Sequence, residues 1–491
     1  MDFKKLTLIA ALMAAPAALS AQANHYVSLT GAGSNDGSSW DNAMPFSTLC
    51  ENIDTYENGD VFYFKEGTYV VTTPLKVTKK GYTFIGGFSK DLTGTSNEIP
   101  TYPTTTPTVF SGDVNSDGVA SEGDADCLLS FKTDGVVGDE SLKVELQGLE
   151  FTCTYSEAST GGETERGALY MNNCGSAEVR NCRFYGNVAK NGAANQAGGM
   201  AFTGHRSHVI FEDCEFTDNW ATSRGAAIRL TSQDAGKGFT VLNRCLVARN
   251  EIQENTGTAI LVTHGDALYI INSTITDNKA GKASGAIYCN GWGNDYARNL
   301  YIINSTIAGN ESGPQVEMAA NASIYVANSI VVSDDDADAF LFKGAAKNAV
   351  SGGMNILGAD ASGVFALQET DDATSGNNYE VVFGENVLGD NGIVEPLADK
   401  GEYSRSLLET AIADWGVVDG VDVTVDQTGK TRADGSTPGA YAKTTPSGIQ
   451  GVEAVEKAGD GAYYTLQGVK LGARPTATGI YIHNGKKVII R

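Results

Sequence analysis

The most constraining feature of the sequence is a seven-residue pattern that returns along the middle of the chain. It reads NCRFYGN at 181–187, DCEFTDN at 213–219, RCLVARN at 244–250, NSTITDN at 272–278 and NSTIAGN at 304–310. Each copy has a small residue, an apolar residue two places later and a closing asparagine. The copies begin 28 to 32 residues apart. Such variable spacing indicates short strands joined by loops of different lengths rather than the fixed units of a helical solenoid.

Two columns of the pattern predict side chains that point into a core. The small column runs Cys182, Cys214, Cys245, Ser273, Ser305 and Ser329. The apolar column runs Phe184, Phe216, Val247, Ile275, Ile307 and Val331. Residues two apart on a strand face the same side, so we expect both columns inside. The exchange of Cys for Ser predicts small core residues here, whereas disulfides among the remaining five cysteines stay open.

The third column predicts corners. It runs Asn187, Asn219, Asn250, Asn278, Asn310 and then Asp334. Asn and Asp tolerate left-handed backbone angles and bond their own backbone, so we expect a sharp turn at each. The asparagines are also expected to bond one another along the stack. We interpret the Asn-Ser-Thr sequons at Asn272 and Asn304 as parts of these corners rather than as glycan sites.

A second short strand accompanies the copies. It reads GALY from Gly167, GMAF from Gly199, AAIR from Ala226, TAIL from Thr258 and GAIY from Gly285. Short strands that turn at Asn or Gly and stack about 4.8 Å apart form a parallel β-helix, and we predict this all-β fold. A helix is expected to cover the first coil. Its apolar face consists of Phe46, Leu49, Cys50 and Ile53.

Charge and the N-terminal residues narrow the function classes. The formal net charge is -24 and no basic stripe is present, which excludes nucleic acid as a partner. Residues 1–23 have Lys4 and Lys5, an apolar stretch and then small residues, the pattern of a cleaved secretory signal. No later run approaches the roughly 20 apolar residues of a membrane helix. We therefore expect an exported, secreted or surface-attached chain without a transmembrane segment.

Several segments resemble known families. YVSLTGAGSNDGSSWDNA, GDVFYFKEGTYVV and GYTFIGGF resemble the opening of secreted right-handed β-helix proteins of the pectin-lyase-like superfamily. The GA(I/L)Y and FxxN elements are similar to repeats of polymorphic outer-membrane proteins, which are surface adhesins. PLADKGEYSRSLL and DQTGKTRADGSTPGAYA resemble the closing segment called choice-of-anchor Q, which usually has Arg in place of Thr428 and Asp-Ile in place of Thr437-Pro438. The resemblance spans most of 26–442 and implies a right-handed parallel β-helix.

The C-terminal stretch YYTLQGVKLGARPTATGIYIHNGKKVIIR reads as two or three strands with Gly turns. It resembles the small β-sandwich-like sorting domain of type IX secretion cargo, which implies the type IX secretion machinery as a partner. A terminal capping hairpin is the alternative. The expected organisation is a signal peptide (1–23), an N-terminal cap with the first coils (24–90), the β-helix with its closing segment (91–442), a linker (443–451) and the sorting domain (452–491).

One loop has the oxygen spacing of a calcium site. DVNSDGVASEGD, at 113–124, follows the ligand positions of an EF-hand or dockerin loop. The expected ligands are Asp113, Asn115, Asp117, the carbonyl of Val119, Ser121 through water, and Asp124. Position 12 is Asp rather than Glu and a second loop is absent, so an acidic turn without an ion is the alternative. Calcium is the one cofactor that the sequence implies.

A sugar-binding face is the second candidate site. His205 and His264 each lie six residues after the start of their GA(I/L)Y element, and Ser232 occupies the same position in the coil between. Stacking then places the two histidines about 10 Å apart, too far for one metal ion. Arg229 and Asp266 are expected to join this face. Solvated surface is the alternative reading of all four residues.

Two function classes remain. The first is a non-catalytic adhesin or carbohydrate-binding protein that contacts an extracellular glycan or a host or neighbouring cell surface. The alternative is a polysaccharide lyase or glycoside hydrolase. Lyases need carboxylates that hold calcium plus a Lys or Arg base, and hydrolases need paired Asp or Glu. The repeat strands carry Cys, Ser, Thr, Phe and Ile where such a cluster would lie, so we favour the first class and assign no catalytic residue.

Overall fold

The computed structural model describes most of the chain. The described residues are 22–135, 138–157, 166–190, 201–203, 208–222, 225–232, 238–253, 259–264, 267–280, 285–290, 298–311, 313–334, 338–344, 348–374, 377–389, 392–397, 403–443, 462–465, 470–477, 479–483 and 486–490. The chain divides into two compact units, Met1–Thr444 and Thr445–Arg491. Among the described residues, no helix has the length and apolar character needed to cross a bilayer.

The larger unit is a stack of coils, and each full coil passes through four parallel sheets in the order 1, 2, 3, 4. Sheet 1 consists of Met44–Pro45, Asn24–Ser28, Val61–Lys65, Thr83–Phe88, Val144–Gln147, Ser176–Arg180, His208–Glu212, Phe239–Asn243, Ala267–Ile271, Arg298–Ile303, Ala322–Ala327 and Asn348–Ser351. Sheet 2 consists of Gly67–Val70, Thr108–Ser111, Leu149–Thr152, Arg183–Tyr185, Glu215–Thr217, Leu246–Ala248, Thr274–Thr276, Thr306–Ala308, Ile330–Val332 and Ile356–Leu357. Sheet 3 consists of Tyr155–Glu157, Val188–Lys190, Trp220–Ala221, Glu251–Ile252 and Lys279–Ala280. Sheet 4 consists of Leu75–Thr78, Cys127–Lys132, Gly167–Met171, Ala201–Thr203, Ile228–Ser232, Ile260–His264, Ile287–Asn290, Val316–Ala319 and Phe340–Lys343.

The described helices are short and lie around this stack, and the smaller unit has its own sheet. The α-helices are Phe46–Asn52, Tyr379–Phe383 and Arg405–Ile412. The 3-10 turns are Trp40–Asn42, Ile53–Thr55, Glu140–Leu142 and Ala359–Gly363. In the smaller unit, an antiparallel sheet consists of Tyr463–Tyr464, Lys470–Leu471, Gly479–His483 and Lys486–Ile490. The predicted fold class, a parallel β-helix, is confirmed.

The core is built from the two inward columns that the repeat predicts. Residues of the apolar column pair in register across sheet 2, as Phe184 does with Phe216. The rings of Phe151, Phe184 and Phe216 stack with centroids 4.8 Å apart at each step. This distance equals the spacing of hydrogen-bonded strands, so the stacking follows directly from the backbone pairing. Phe46 and Leu49 of the predicted capping helix are buried in the same core, with Cys50 at its margin.

The small column is also buried, and it contains no disulfide. All eight cysteines are described and carry free thiols, seven of them buried. Burial raises the pKa of the Cys214 and Cys245 thiols, so both stay protonated. Further along the column the hydroxyls bond the preceding coil, because the N–H of Cys245 donates to Ser273 Oγ (2.9 Å) and that of Ser273 to Ser305 Oγ (3.1 Å). The Cys and Ser residues are therefore interchangeable core residues, as the sequence predicts.

The corners differ in detail from the sequence interpretation. Between sheets 1 and 2, the first residue of each copy has a left-handed backbone. These residues are Asn181, Asp213, Arg244, Asn272 and Asn304, with φ between 52° and 53°. After sheet 2, the left-handed residue is the one that precedes the asparagine column. These residues are Gly186, Asp218, Arg249, Asp277 and Gly309. The asparagines of the column are thus not themselves left-handed, and their role is to bond along the stack.

The asparagine column forms a buried amide ladder. Nδ2 of Asn187 donates to Oδ1 of Asn219 (3.0 Å), and the same bond joins Asn219 to Asn250 (2.9 Å) and Asn250 to Asn278 (2.9 Å). Each acceptor oxygen also receives the backbone N–H of the preceding asparagine, as Asn278 Oδ1 does from Asn250 (3.0 Å). Because these groups are buried, the bonds satisfy polar atoms that would otherwise be left without water. The predicted last member, Asp334, is exposed.

The two sequon asparagines belong to a second ladder, at the corner between sheets 1 and 2. Nδ2 of Asn272 donates to Asn243 Oδ1 (3.1 Å), Nδ2 of Asn304 to Asn272 Oδ1 (3.0 Å), and Nδ2 of Asn328 to Asn304 Oδ1 (2.9 Å). Asn272 and Asn304 are fully buried. Their amides are therefore structural, in agreement with the interpretation of these sequons as corners.

The outer face of sheet 1 changes character where the closing segment packs on it. In one outward column, Glu145 and Glu178 of early coils are followed by tyrosines in later ones. The rings of Tyr269, Tyr301 and Tyr325 stack with centroids 4.4 and 4.7 Å apart. They form a cluster with residues of helix Arg405–Ile412 and of 415–423. The closing segment thus buries an outer face that is apolar only where it is covered.

The buried amide ladder yields a stability prediction. Replacement of Asn250 by Leu removes the bonds to Asn278 and to the carbonyl oxygens of Phe216 and Ala248. We expect the free energy of unfolding to fall by about 1–3 kcal/mol, because the partners stay buried and unsatisfied. Chemical denaturation of the purified protein measures this change. Glu251→Leu, at the exposed neighbouring position, is the matched control and should alter stability by less than about 0.5 kcal/mol. Equal stability of Asn250→Leu and the parent would contradict a stabilising ladder.

Candidate functional site

A groove opens on the outside of the larger unit, at the corner between sheets 1 and 2. Its volume is about 930 Å3, in the range of small-molecule sites. One wall is the loop around Tyr102–Pro107, and the other is the part of the closing segment at 422–429. The floor consists of outward and corner residues from successive coils. These are Glu150, Asn181, Arg183, Asp213, Glu215, Arg244 and Leu246.

Register pairing places charges of alternating sign along the floor. Glu150, Arg183 and Glu215 are partners across three successive strands of sheet 2. Arg183 Nε donates to Glu215 (2.9 Å), and its Nη1 donates to Glu150 (3.4 Å). Arg183 is therefore held between two carboxylates, one on the coil before it and one on the coil after it.

A second arginine is held at the neighbouring corner. Nε and Nη2 of Arg244 donate to the two carboxylate oxygens of Asp213, at 2.8 and 2.7 Å. Nη2 also lies 3.1 Å from a carboxylate oxygen of Glu212. This two-pronged geometry is the strong form of an arginine–carboxylate pair. It fixes the guanidinium against the floor.

These pairs reinforce the positive charge of the two arginines. The hydrogen bonds that Arg244 donates to Asp213 are the largest influence on the guanidinium, and they raise the pKa of Arg244. At Arg183, burial opposes the charge, but Glu215 and Glu150 outweigh it and the pKa is raised as well. A base that abstracts a proton needs a pKa lowered toward neutrality. Neither arginine of the floor meets that requirement.

The Tyr102 wall depends on two glycines. A Cβ atom on Gly148, whose φ is +64°, would lie 2.1 Å from Cε1 of Tyr102. The ring therefore rests directly against the backbone of the coil, and its hydroxyl donates to the carbonyl oxygen of Gly86 (2.7 Å). With Pro103 beside it, this wall presents ring and proline carbons to the groove.

The opposite wall is organised by Asp426 and Arg432, two residues that the sequence analysis did not assign. The Asp426 carboxylate accepts hydrogen bonds from the N–H (2.9 Å) and hydroxyl (2.6 Å) of Thr428. Arg432 donates to the carbonyl oxygens of Val425 (2.9 Å) and Gly439 (2.6 Å). Burial lowers its pKa to about 10. Because Arg432 is buried behind the wall, its role is to hold the closing segment in place.

The acidic loop brings the predicted calcium ligands together. Carboxylate oxygens of Asp113, Asp117 and Asp124 all lie within 4.8 Å of one another. Oδ1 and Oδ2 of Asp113 accept the N–H groups of Asp117 (3.0 Å) and Gly118 (3.0 Å), so the loop curls around this side chain. Converging carboxylate oxygens are the donors that calcium prefers. The residues present fit the ion, and calcium binding stays a prediction.

The remaining predicted ligands of the loop lie close by. The Ser121 hydroxyl donates to Asp117 (2.8 Å) and accepts from Nδ2 of Asn115 (2.7 Å). The N–H of Val119 is the largest influence on Asp117, followed by the Ser121 hydroxyl, and together they lower the pKa of Asp117. That carboxyl group therefore stays ionised without help from a cation. The Val119 side chain points to solvent, as a residue that offers only its carbonyl group can.

The predicted sugar-binding face is only partly visible. His205 and Asp266 lie outside the described residues. Arg229 is half-buried in the strand Ile228–Ser232 of sheet 4. His264 ends the next strand, where its backbone is in register with Ser232, as the repeat spacing predicts. The grouping of these four side chains stays a prediction.

The sequence does not predict the groove, because its two walls are about 320 residues apart in the chain.

The fold that carries the groove is similar to known proteins. The family described as "Right handed beta helix region" matches residues 129–379, which is just over half of the chain. No curated protein matches the sequence significantly. Among solved structures, the crystal structure of pectate lyase Pel9A aligns with 86% of this chain and 97% of its own, at 12% identity and a TM-score of 0.28. The chain belongs to the right-handed β-helix family.

Proposed function

We propose that this protein is an exported, non-catalytic β-helix that binds an extracellular glycan and so acts as an adhesin or carbohydrate-binding protein. The groove is its contact surface. The observation that carries the proposal is the state of the floor, where Arg183 and Arg244 are each ion-paired with carboxylates on neighbouring coils. Such a surface can bind by hydrogen bonds, and the raised pKa of both arginines opposes a role for either as a base.

The alternative, cleavage of a polysaccharide, needs groups that the groove lacks. A hydrolase needs two carboxyl groups that face a glycosidic bond with different protonation. Here Glu150 and Glu215 flank the same guanidinium, and both are ion-paired with it. A lyase needs a Lys or Arg base, and the raised pKa of Arg183 opposes that role. These two features favour binding over catalysis.

The solenoid itself supports an adhesive role. Each coil adds one more row of outward side chains at a fixed spacing, and such repeats create the extended surfaces that solenoid proteins use for binding. The rows that form the groove floor carry charges that pair between coils, such as Arg183 with Glu215 (2.9 Å). A surface of paired charges is well hydrated and yet fixed in position. It suits recognition of a polar polymer.

The proposal that the protein is exported rests on its N-terminal and C-terminal segments. Residues 1–23, the predicted signal peptide, lie almost entirely outside the described residues. Residues 452–491, which resemble a type IX sorting domain, include the four-stranded antiparallel sheet of the smaller unit. We propose that this unit addresses the protein to the outer membrane, where it is secreted or attached to the surface.

The proposed function predicts binding without cleavage. The mature protein is screened against an array of extracellular glycans, and each glycan that binds is then incubated with the protein at high concentration. We expect binding and no new reducing ends or unsaturated products, because the floor has no free base. Heat-denatured protein is the control for non-specific retention. Steady release of shorter chains would contradict the proposal and favour the enzyme.

The sorting role predicts the fate of a truncated chain. Deletion of residues 452–491, expressed in a host that has type IX secretion, should leave the protein in the periplasm. Because the larger unit is compact by itself, its melting temperature should stay unchanged. Surface labelling of intact cells and fractionation measure the location. Arrival of the truncated chain at the surface would contradict the sorting role.

The acidic loop predicts calcium-dependent stability. A cation that binds only the folded state adds RT ln(1 + [L]/Kd), so calcium at 100 times its Kd should stabilise the protein by about 2.7 kcal/mol. Magnesium should do much less, since it sheds water reluctantly. Asp117→Ala should abolish the binding heat in calorimetric titration. Glu122→Ala removes the same charge from an exposed, non-ligand position of the loop and is the matched control. Heat that survives Asp117→Ala, or none in the parent, would leave the loop as a turn.

A further inference from the structure

The charge of the groove restricts what kind of glycan it can hold. Its charged lining consists of Glu150, Arg183, Asp213, Glu215, Arg244 and Asp422. Four carboxylates and two guanidinium groups give the groove a formal charge of -2. The hydroxyl and N–H of Thr424 hold the pKa of Asp422 below its ordinary value, so the wall keeps its negative charge. A polymer with one carboxylate on each sugar would meet repulsion at both the floor and this wall.

The arginines do not reverse this preference, because the positive charge of each is already paired with carboxylates of the floor. Arg183 uses Nε and Nη1 on Glu215 and Glu150, and Arg244 uses Nε and Nη2 on Asp213. A uronate carboxylate that bound through the remaining N–H groups would add a further negative charge beside these carboxylates, and one that took over the occupied N–H groups would displace a partner. The displaced carboxylate would then be left beside the ligand without its counter-charge. That exchange is unfavourable at both positions.

A neutral sugar avoids the exchange. An ionised carboxylate can accept about four hydrogen bonds, so a side chain paired with arginine keeps lone pairs for further donors. Sugar hydroxyls can donate to those lone pairs without breaking the ion pairs. The ring carbons of a sugar can lie against the wall formed by Tyr102 and Pro103. The floor spans four coils, from Glu150 to Leu246, about 14 Å at the spacing of stacked strands.

We propose that the groove binds a neutral, hydroxyl-rich polysaccharide segment and rejects polyuronates, with the carboxylates around Arg183 as the specificity determinant. This inference rests on the proposed glycan-binding function and assigns that function a place and a substrate class. It sets this chain apart from a β-helix that acts on uronate polymers.

Calorimetric titration in calcium-free buffer tests the proposal. The probes are neutral hexasaccharides of glucose, mannose, xylose and galactose, together with hexagalacturonate. The wild-type protein should bind at least one neutral probe and should bind hexagalacturonate at least about tenfold more weakly, as expected for juxtaposed like charges. Tyr102→Ala should weaken the neutral complex by about tenfold or more, because the apolar wall is lost.

The variant Glu150→Gln with Glu215→Gln tests the specificity determinant. It leaves Arg183 without carboxylate partners and brings the groove to formal neutrality, so hexagalacturonate binding should strengthen by about tenfold or more. Asp218→Asn is the matched control, since it breaks the ion pair with Arg249 at a corner outside the groove and should change neither affinity. Should the double variant fold poorly, the salt dependence of wild-type binding gives a second readout. The neutral complex should be insensitive to added salt.

The outcomes separate the two proposals. Tight hexagalacturonate binding by the wild type, or a neutral complex that Tyr102→Ala leaves unchanged, overturns the inference while glycan binding stands. No binding to any probe in the screen or the titration overturns the glycan-binding function and the inference with it. A neutral complex that depends on Tyr102 and a double variant that gains hexagalacturonate support both.

Discussion

Residue-for-residue pairing between successive coils is the constraint on which the rest of the structure depends. Because strands stack at a spacing of about 4.8 Å, one residue type repeated at equivalent positions becomes a continuous column. Inside, this produces the stack of Phe151, Phe184 and Phe216. At a corner it produces the amide ladder, and outside it places Glu150 and Glu215 on either side of Arg183. Core, corner and groove floor are three results of the same backbone geometry.

The sequence predicts the features that depend on this repetition. The Cys and Ser column, the apolar column and the helix that covers the first coil are where the pattern places them. The sequence analysis misplaces the left-handed residue at the corner after sheet 2. That residue is Arg249, and not the following Asn250 as the pattern predicts. Asn is the commoner choice at such a position. Here a long charged side chain takes the strained backbone, where it pairs with Asp218 on the preceding coil.

The site is harder to predict because it depends on segments outside the repeat. Tyr102 and Thr428 belong to walls from opposite ends of the larger unit, and no periodicity links them. The outward column of sheet 1 does indicate where the closing segment packs. The residues of this column change from Glu178 to Tyr301 over the area that the segment covers. The calcium loop is the opposite case. Its ligand spacing is local in sequence, and the structure brings the same three carboxylates together.

The attachment of the closing segment determines how the width of the groove can change when repeats are inserted or lost. Gln427 lies at the groove wall and donates to the carbonyl oxygen of Cys245 (3.4 Å), and Asn272 donates to that of Asp422 (2.9 Å), so the wall is attached to particular coils. The other wall is attached to the two neighbouring coils of Gly86 and Gly148. The width between them is therefore counted in whole coils. Insertion or loss of one repeat would widen or narrow the groove by one step of about 4.8 Å while every column stays in register. A chain built in this way can fit ligands of different breadth by duplication alone, without redesign of either wall.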